Sequence, residues 1–479
     1  MAPAAGYAAA MNLSAQSSRG RDVGEASSVA RGLPPGPRLP SVVQSGAWVV
    51  RPIPVLHACR ARFGHTFTLR FAAMPPLVLF SRPADIKEIF TGDPEVFHAG
   101  SANVILQPIL GRSSLLLLDG ERHMKERRLM MPSFHGERML AYGRVMEEAA
   151  DRAIDAWPLR EPFAIHHAMQ AITLDVIVRA VFGVTDAARH EALRGALVRM
   201  LAFGERPWLL LLIGADGELR WRAAHERLGR LSPWADFKRT IGEVDALLLA
   251  EIRRRRALRE DPGVDVLSML LAARDEEGGG LDDEQLVDEM KTLLVAGHET
   301  SATGLTWALL ELSRHPDVLA RLREDIAAGR DDYLDAVVKE SLRLHPIVPM
   351  VGRRLQAPAV VGGREYPAGV VLAPSIYLTH RNPEVWPEPE RFDPSRFLAR
   401  KPSPYEHLPF GGGVRRCIGL AFAMFEMKRV LQRIVERAHL TLAPGYRPEL
   451  VRRGITFAVS EGLPVVLERR ASAPTAPAA

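Results

Sequence analysis

The sequence predicts a mainly α fold with a small β region, built as one domain. Three observations carry this. Apolar residues recur every three to four positions over six long segments, strand-like stretches are few, and those few lie toward both ends of the chain. Strands from both ends must meet in space, which argues for one domain despite the 479 residues. Composition fits a globular chain, with 47% hydrophobic and 25% charged residues. A net charge of +5 excludes disorder of the bulk and leaves no electrostatic footprint for nucleic acid, despite a pI near 9.3. Only seven of the 62 basic residues are Lys, an Arg bias that reads as genomic composition. Two cysteines, Cys59 and Cys417, exclude a disulfide framework and suit a reducing compartment.

Residues 1–32 are rich in Ala, Ser and Arg and lack the apolar run of a secretory signal, so they read as a disordered tail. A transit peptide using Arg19, Arg21 and Arg31 is the other reading of that segment. The domain spans 33–468, and 469–479 form a second disordered tail. Leu33 to Arg38 is a Pro-rich, stiff opening segment. Residues 67–69 and 77–80 alternate or run apolar around Met74-Pro75-Pro76, which suits a hairpin with a long turn. Helical periodicity covers 139–157, 172–182, 187–203, 241–260, 281–314 and 333–344. The apolar run 208–213 reads as part of a buried helix or an apolar lid rather than a membrane-dipping patch. No stretch approaches the ~18 apolar residues of a membrane-spanning helix, so no transmembrane anchor is expected. Gly278-Gly279-Gly280 precede Asp282 and Gln285, which fit a capping box opening the long helix. No Lys-Ser/Thr follows, so this is not a phosphate-cradling loop. Gly362-Gly363, between two short β-like runs, signals a tight hairpin.

Chemistry concentrates in Phe410-Gly411-Gly412-Gly413-Val414-Arg415-Arg416-Cys417-Ile418-Gly419, which delivers one cysteine to the start of a helix from Leu420. Loop N–H groups, the helix N-terminus and nearby Arg would lower a thiol from its ordinary value of about 8.5. The glycines let a flat, bulky cofactor approach the backbone. A lone cysteine is ordinarily a small buried apolar residue, the reading kept for Cys59. The Phe-x-x-Gly-x-Arg-x-Cys-x-Gly spacing, however, resembles the haem-thiolate signature of the cytochrome P450 monooxygenases. The resemblance implies the P450 fold around haem b, Cys417 as axial iron ligand, Arg415 on a haem propionate and Phe410 packed near the sulfur.

Other motifs of that family follow in order across 33–468. Glu340 and Arg343 share a helix face and can pair. The resemblance joins them with Arg391, in Pro389-Glu390-Arg391-Phe392, as a structural triad; Arg396 is the alternative third member. Ala296-Gly297-His298-Glu299-Thr300-Ser301 interrupts a long helix with a glycine, which costs about 1 kcal/mol relative to Ala and so should have a use. Thr300 can bond the carbonyl four residues back and bend the helix. In the resemblance, Ala296 and Gly297 leave room for dioxygen, and Glu299 with Thr300 forms the catalytic acid–alcohol pair that delivers protons. His298 reads as turned away from the iron. His123 and Arg127 stand one helical turn apart and resemble a propionate-binding pair of soluble bacterial members; Arg353, or else Arg354, adds another propionate contact. Arg122, Lys125, Arg128, Arg416, Lys428 and Arg429 form either a solvated basic face or a docking patch for an acidic donor.

Residues 104–118, 201–213, Leu293, Leu294, 347–351 and 455–458 are expected to line an apolar pocket that selects by shape. The resemblance implies insertion of one oxygen atom from O2 into a C–H or C=C bond of an apolar small molecule, fatty-acid-like or a terpenoid, steroid or macrolide. It also implies electrons from NAD(P)H through a separate reductase and a ferredoxin or flavodoxin, in a soluble cytoplasmic bacterial protein. A haem-thiolate peroxygenase or isomerase, and a non-enzymatic haem sensor or carrier, are the competing classes.

Overall fold

A computed structural model of the chain describes residues 32–134, 138–184, 186–204, 232–257, 263 and 265–472. Residues 1–31, almost all of the expected N-terminal tail, and the apolar run 208–213 lie outside the described residues. Eight helices position the site: α1 (Gly120–Met130), α2 (Arg138–Ala156), α3 (Ile165–Val176), α4 (Ala187–Gly204), α5 (Pro233–Ala257), α6 (Asp283–Arg314), α7 (Asp332–Leu344) and α8 (Leu420–Arg437). At 32 residues, α6 runs about 48 Å through the molecule. Its start is fixed by the expected capping box. Asp282 Oδ1 accepts from Gln285 N at 2.8 Å, while Gln285 Oε1 accepts from Asp282 N at 2.9 Å.

Twelve short strands form the β region among the described residues. β1 (Thr66–Leu69), β2 (Leu77–Phe80), β3 (Phe97–His98), β5 (Arg353–Leu355) and β8 (Val371–Pro374) make one sheet, ordered β1-β2-β8-β5-β3, in which only β2 and β8 run parallel. The predicted hairpin at 67–80 is β1–β2. β4 (Pro162–Ala164), β9 (Ala438–Leu442) and β12 (Pro464–Arg470) form a second sheet, ordered β4-β12-β9. Both sheets therefore join the two halves of the chain, as one domain requires. β6 (Ala359–Val361) and β7 (Arg364–Tyr366) are joined by Gly362 and Gly363 at φ 59° and 73°. Two consecutive positive φ values are the type I′ geometry that only such residues adopt cheaply. β10 (Leu450–Arg453) pairs with β11 (Thr456–Val459).

Three boundaries differ from expectation. β12 continues through Arg469 and Arg470, paired with His439 and Ala438, so the domain extends past 468. The segment read as a helix over 172–182 begins at Ile165 and becomes a π turn over Ile177–Val181, closed by Phe182 N bonding the Ile177 carbonyl at 3.0 Å. α5 starts at Pro233, with proline in its favoured first-turn place, rather than at Ile241.

α3, α6, α7 and α8 bury their apolar faces in one continuous core, with Leu305, Leu310, Val337, Leu431 and Met169 inaccessible to solvent. Burial of each such side chain contributes about 1.5–3 kcal/mol. Trp307 on α6 donates to the Phe457 carbonyl of β11 at 3.1 Å and stacks on His345 at 4.0 Å, fixing the helix against the β10–β11 hairpin. Cys59 lies in a separate apolar cluster, and burial pushes its thiol up to about 12, as its reading as a structural residue requires. No described helix is long and apolar enough to cross a membrane.

Candidate active site

Residues 410–419 fold as a loop pinned on both sides. Cys417 N donates to the Phe410 carbonyl at 3.0 Å, closing the loop just before α8. Gly413 has φ +65°, and a Cβ there would fall 2.1 Å from the Phe90 carbonyl oxygen, so only glycine fits. Cys417 is exposed at the loop surface, yet protein surrounds it on most sides. Burial pushes its thiol up, outweighing the opposing pull of the Gly419 backbone N–H, Arg127 and Arg416. The expectation of a net lowered thiol is thus corrected, because desolvation outweighs the loop N–H and the two guanidiniums that favour the thiolate.

Around this loop gathers a cluster of cations. Arg127 Nη2 donates to the Arg416 carbonyl at 2.7 Å, tying α1 to the residue before Cys417. Arg353, 6% exposed, donates to the Gly412 carbonyl at 3.2 Å and to the Gly352 carbonyl at 2.9 Å. Burial, then the neighbouring Arg415, lower its guanidinium to about 10. Arg415 donates to the Leu115 carbonyl at 3.2 Å and also bonds the Leu118 carbonyl and Asp119. His123 is buried among these three guanidiniums; burial and their charge depress it to about 3, so it is neutral. Asp119, also held by Gly100 N and Ser101 N at 2.8 and 2.9 Å, is the carboxylate acting on both Arg353 and Arg415. Three guanidiniums against one carboxylate leave about two positive charges, a donor set that fits two further carboxylates. Arg353, not the half-buried Arg354, is the member turned to the loop. Asp119 was not singled out from sequence; preceding a helix, it looks like an ordinary N-cap, but its side chain serves the cluster and makes no cap bond.

The middle of α6 breaks its otherwise buried face. Ala296 is exposed and Thr300 half-buried, while Leu294, His298 and Ser301 are buried. Thr300 Oγ1 donates to the Ala296 carbonyl at 2.5 Å, the expected back-bond. A Cβ added at Gly297 would stand 3.4 Å from Ile177 Cδ1 of the π turn, an ordinary contact, so packing inside the protein does not by itself demand glycine there. His298 Nε2 meets the Gln170 carbonyl at 3.1 Å, turned into the protein. Glu299 turns toward α3 and β10. Gln170 Nε2 donates to it at 2.8 Å, His166 Nε2 lies at 3.3 Å and Arg453 Nη1 at 3.8 Å. Burial pushes its carboxyl up, but the His166 and Gln170 bonds more than offset this and hold it below the usual range. Neighbours in sequence, Glu299 and Thr300 thus occupy different faces, as 100° per residue dictates. His166, Gln170 and Arg453 carried no motif that could have revealed them.

Residues 34–463 match the family model described as Cytochrome P450. The chain belongs to the cytochrome P450 family. It is 44% identical over 431 residues to the putative cytochrome P450 135B1 of Mycobacterium tuberculosis, covering 88% of each chain. It is 37% identical over 454 residues to the putative cytochrome P450 135A1 of the same species, covering 93% of this chain and 98% of the relative. Among solved structures, the retinoic acid-bound cyanobacterial CYP120A1 matches with a TM-score of 0.76 and 25% identity, over 91% of this chain and 99% of that one. Membership makes the protein a haem monooxygenase with an organic substrate and an external electron supply.

In this P450 the acidic residue of the expected triad is as read, but its third member is not. Glu340 and Arg343 pair in full burial, and Arg396 Nε, 12% exposed, stands 3.4 Å from Glu340 Oε1. The Arg391 side chain instead points outward to Glu388 at 3.3 Å, contributing only its carbonyl to Arg343 at 3.1 Å. The reason is the backbone after Arg391: Asp393 N donates to Glu340 at 2.8 Å, which brings the next turn, bearing Arg396, to the carboxylate. The basic face is also more neutralised than its sequence suggests. Arg122 pairs with Glu126 at 3.2 Å, Lys428 with Asp335 at 3.8 Å and Arg429 with Glu147 at 3.6 Å. Lys125 and Arg128 meet Asp275 and Glu276 at 2.7 and 3.9 Å. Of the expected pocket segments, Val104, Ile105, Leu106, Ile109 and Leu293 are half-buried, whereas Leu294 and 456–458 are packed away.

Proposed function

We propose that this P450 binds haem b through Cys417 and inserts one oxygen atom from O2 into an apolar substrate. The observation that carries the reading is the pairing of an accessible Cys417 with a cationic cluster carrying about two uncompensated charges, which suits the two propionates of haem b. Arg127, Arg353 and Arg415 would hold the propionates, with His123 lining the same pocket. Phe410 would hold the Cys417 backbone in place, its carbonyl accepting from Cys417 N. When bound, the haem supplies one-electron chemistry and the site where dioxygen is reduced.

The residues of α6 then manage protons. Thr300 keeps its hydroxyl proton on the Ala296 carbonyl and leaves its lone pairs accessible, so it can hold a water or pass a proton. Glu299, anionic and fixed by His166, Gln170 and Arg453, is a proton acceptor and donor at the rear of the same turn, with water as the link to Thr300. The half-buried aliphatic side chains of 104–109 and Leu293 give the substrate shape selection with few polar anchors. A long apolar molecule of fatty-acid or terpenoid type suits them, and the retinoic acid of CYP120A1 is an apolar ligand of that kind. Electrons would come from NAD(P)H through a reductase and an acidic ferredoxin or flavodoxin, in the cytoplasm.

The test is the carbon monoxide spectrum of the dithionite-reduced protein, with fatty acids, terpenes and steroids titrated into the ferric form. Thiolate ligation gives a strongly red-shifted carbonyl band, and a true ligand class converts low-spin iron to high-spin. A band typical of histidine- or thiol-ligated haem would reject Cys417 as the thiolate ligand, and monooxygenation with it.

A further inference from the structure

The segment joining the short helix Val266–Ala272 to α6 places three acidic residues, Asp275, Glu276 and Glu277, against α1. It is a closed turn. Asp275 N bonds the Gly279 carbonyl at 2.8 Å, and Asp275 Oδ1 accepts from Glu277 N at 3.0 Å and from Gly279 N at 2.7 Å. Asp275 is spent on building that turn and on Lys125, 2.7 Å away. Glu276 and Glu277 are 95% and 87% exposed, so they hold up nothing inside the protein. They reach Arg128 at 3.9 Å and Lys125 at 3.7 Å.

α1 is also the helix that Arg127 ties to the residue preceding Cys417. A donor resting on α1 is therefore beside the ligand loop, on a face where Arg416 is exposed and has no carboxylate partner among the described residues. That face accepts carboxylates, because this chain already lays its own upon it. We propose that the turn at 275–277 is an intramolecular competitor for the electron donor, an acidic electron-carrier protein that docks on Lys125, Arg128 and Arg416 by displacing Glu276 and Glu277. Exposed ion pairs are weak and screened by salt, so the turn tunes donor affinity without blocking it.

The inference rests on the proposed external acidic donor, and its test is separate from the carbon monoxide spectrum. Binding of an acidic plant-type two-iron, two-sulfur ferredoxin to the full-length haem-loaded protein is followed by surface plasmon resonance at low and at half-molar salt. Glu276→Gln/Glu277→Gln should raise the association rate roughly threefold or more at low salt, and the gain should vanish at high salt. Asp275 is left intact so that the turn persists. A control with Glu365→Gln/Glu468→Gln, exposed acids on β7 and β12, should give no comparable gain. Adding Lys125→Gln/Arg128→Gln to the first variant should abolish the gain. Unchanged or weaker binding, an equal gain in the control, a gain that survives loss of Lys125 and Arg128, or ferredoxin binding to no variant would each overturn the proposal, even where the carbon monoxide spectrum establishes the thiolate.

Discussion

Arg343 grips Glu340 with two prongs, its Nε and Nη2 lying 2.6 and 2.8 Å from the two carboxylate oxygens, and solvent reaches neither side chain. The remaining guanidinium protons go to the carbonyls of His380, Pro389 and Arg391, so one buried cation fastens α7 to the irregular segment that follows β8. Glu340→Gln strands that cation and should destabilise the folded protein by about 3–5 kcal/mol. Arg391→Ala, outward on the surface, should stay within about 0.5 kcal/mol, and Arg396→Ala should fall between. Urea unfolding of the haem-loaded protein measures all three, and equal losses at 391 and 396 would contradict the pairing described above.

Thr300→Ala removes the accessible hydroxyl while leaving the helix intact. Product per NAD(P)H consumed should fall by on the order of tenfold or more while electron consumption continues, and Thr300→Ser should keep most of the coupling. Unchanged coupling in the alanine variant would remove Thr300 from proton delivery.

Two glycines make opposite predictions. Gly413→Ala sets a Cβ at φ +65° and 2.1 Å from the Phe90 carbonyl, so the loop must shift and the Cys417 ligation spectrum should change or haem be lost. Gly297→Ala meets only Ile177 at 3.4 Å, an ordinary contact, so binding of carbon monoxide should be nearly unchanged. A large loss of carbon monoxide affinity in Gly297→Ala would support the room-for-dioxygen role expected from sequence.

His298, packed behind the site beside Gln170, Glu299 and His166, is lowered to about 4, chiefly by burial. The unfolded chain takes up this proton near 6.5 and the folded chain only near 4, so the unfolded state holds more protons between those values. Stability from this group is therefore intact above pH 6.5 and lost as pH falls, by roughly 3 kcal/mol at pH 4. His298→Gln should flatten the stability–pH slope over that window by about one proton; an unaltered slope would mean that His298 is already charged when folded.

What sequence revealed was what local chemistry dictates. The capping box of Asp282 and Gln285, the Gly362-Gly363 hairpin and the Thr300 back-bond each depend on residues within four positions, and all three stand where the spacing puts them. What it missed depends on distant backbone. Choosing between Arg391 and Arg396 required knowing that Asp393 N bonds Glu340. The direction of Glu299 is set by His166, Gln170 and Arg453, which precede and follow it by more than a hundred residues. A thiol expected to be acidified by its loop is held up by desolvation, an effect of the whole surrounding volume that no spacing encodes.

The β4-β12-β9 sheet has a consequence for how the protein is made. Pro464 pairs with Ala164, three hundred residues earlier in the chain. During synthesis the edge of β4 must therefore wait, unpaired, for nearly the whole polypeptide to leave the ribosome. Helical packing between α2 and α3 can form early because those partners are close in sequence, but the sheet closes last. A chain truncated before Pro464 would leave an open strand edge, and aggregation rather than a smaller working enzyme is its expected fate.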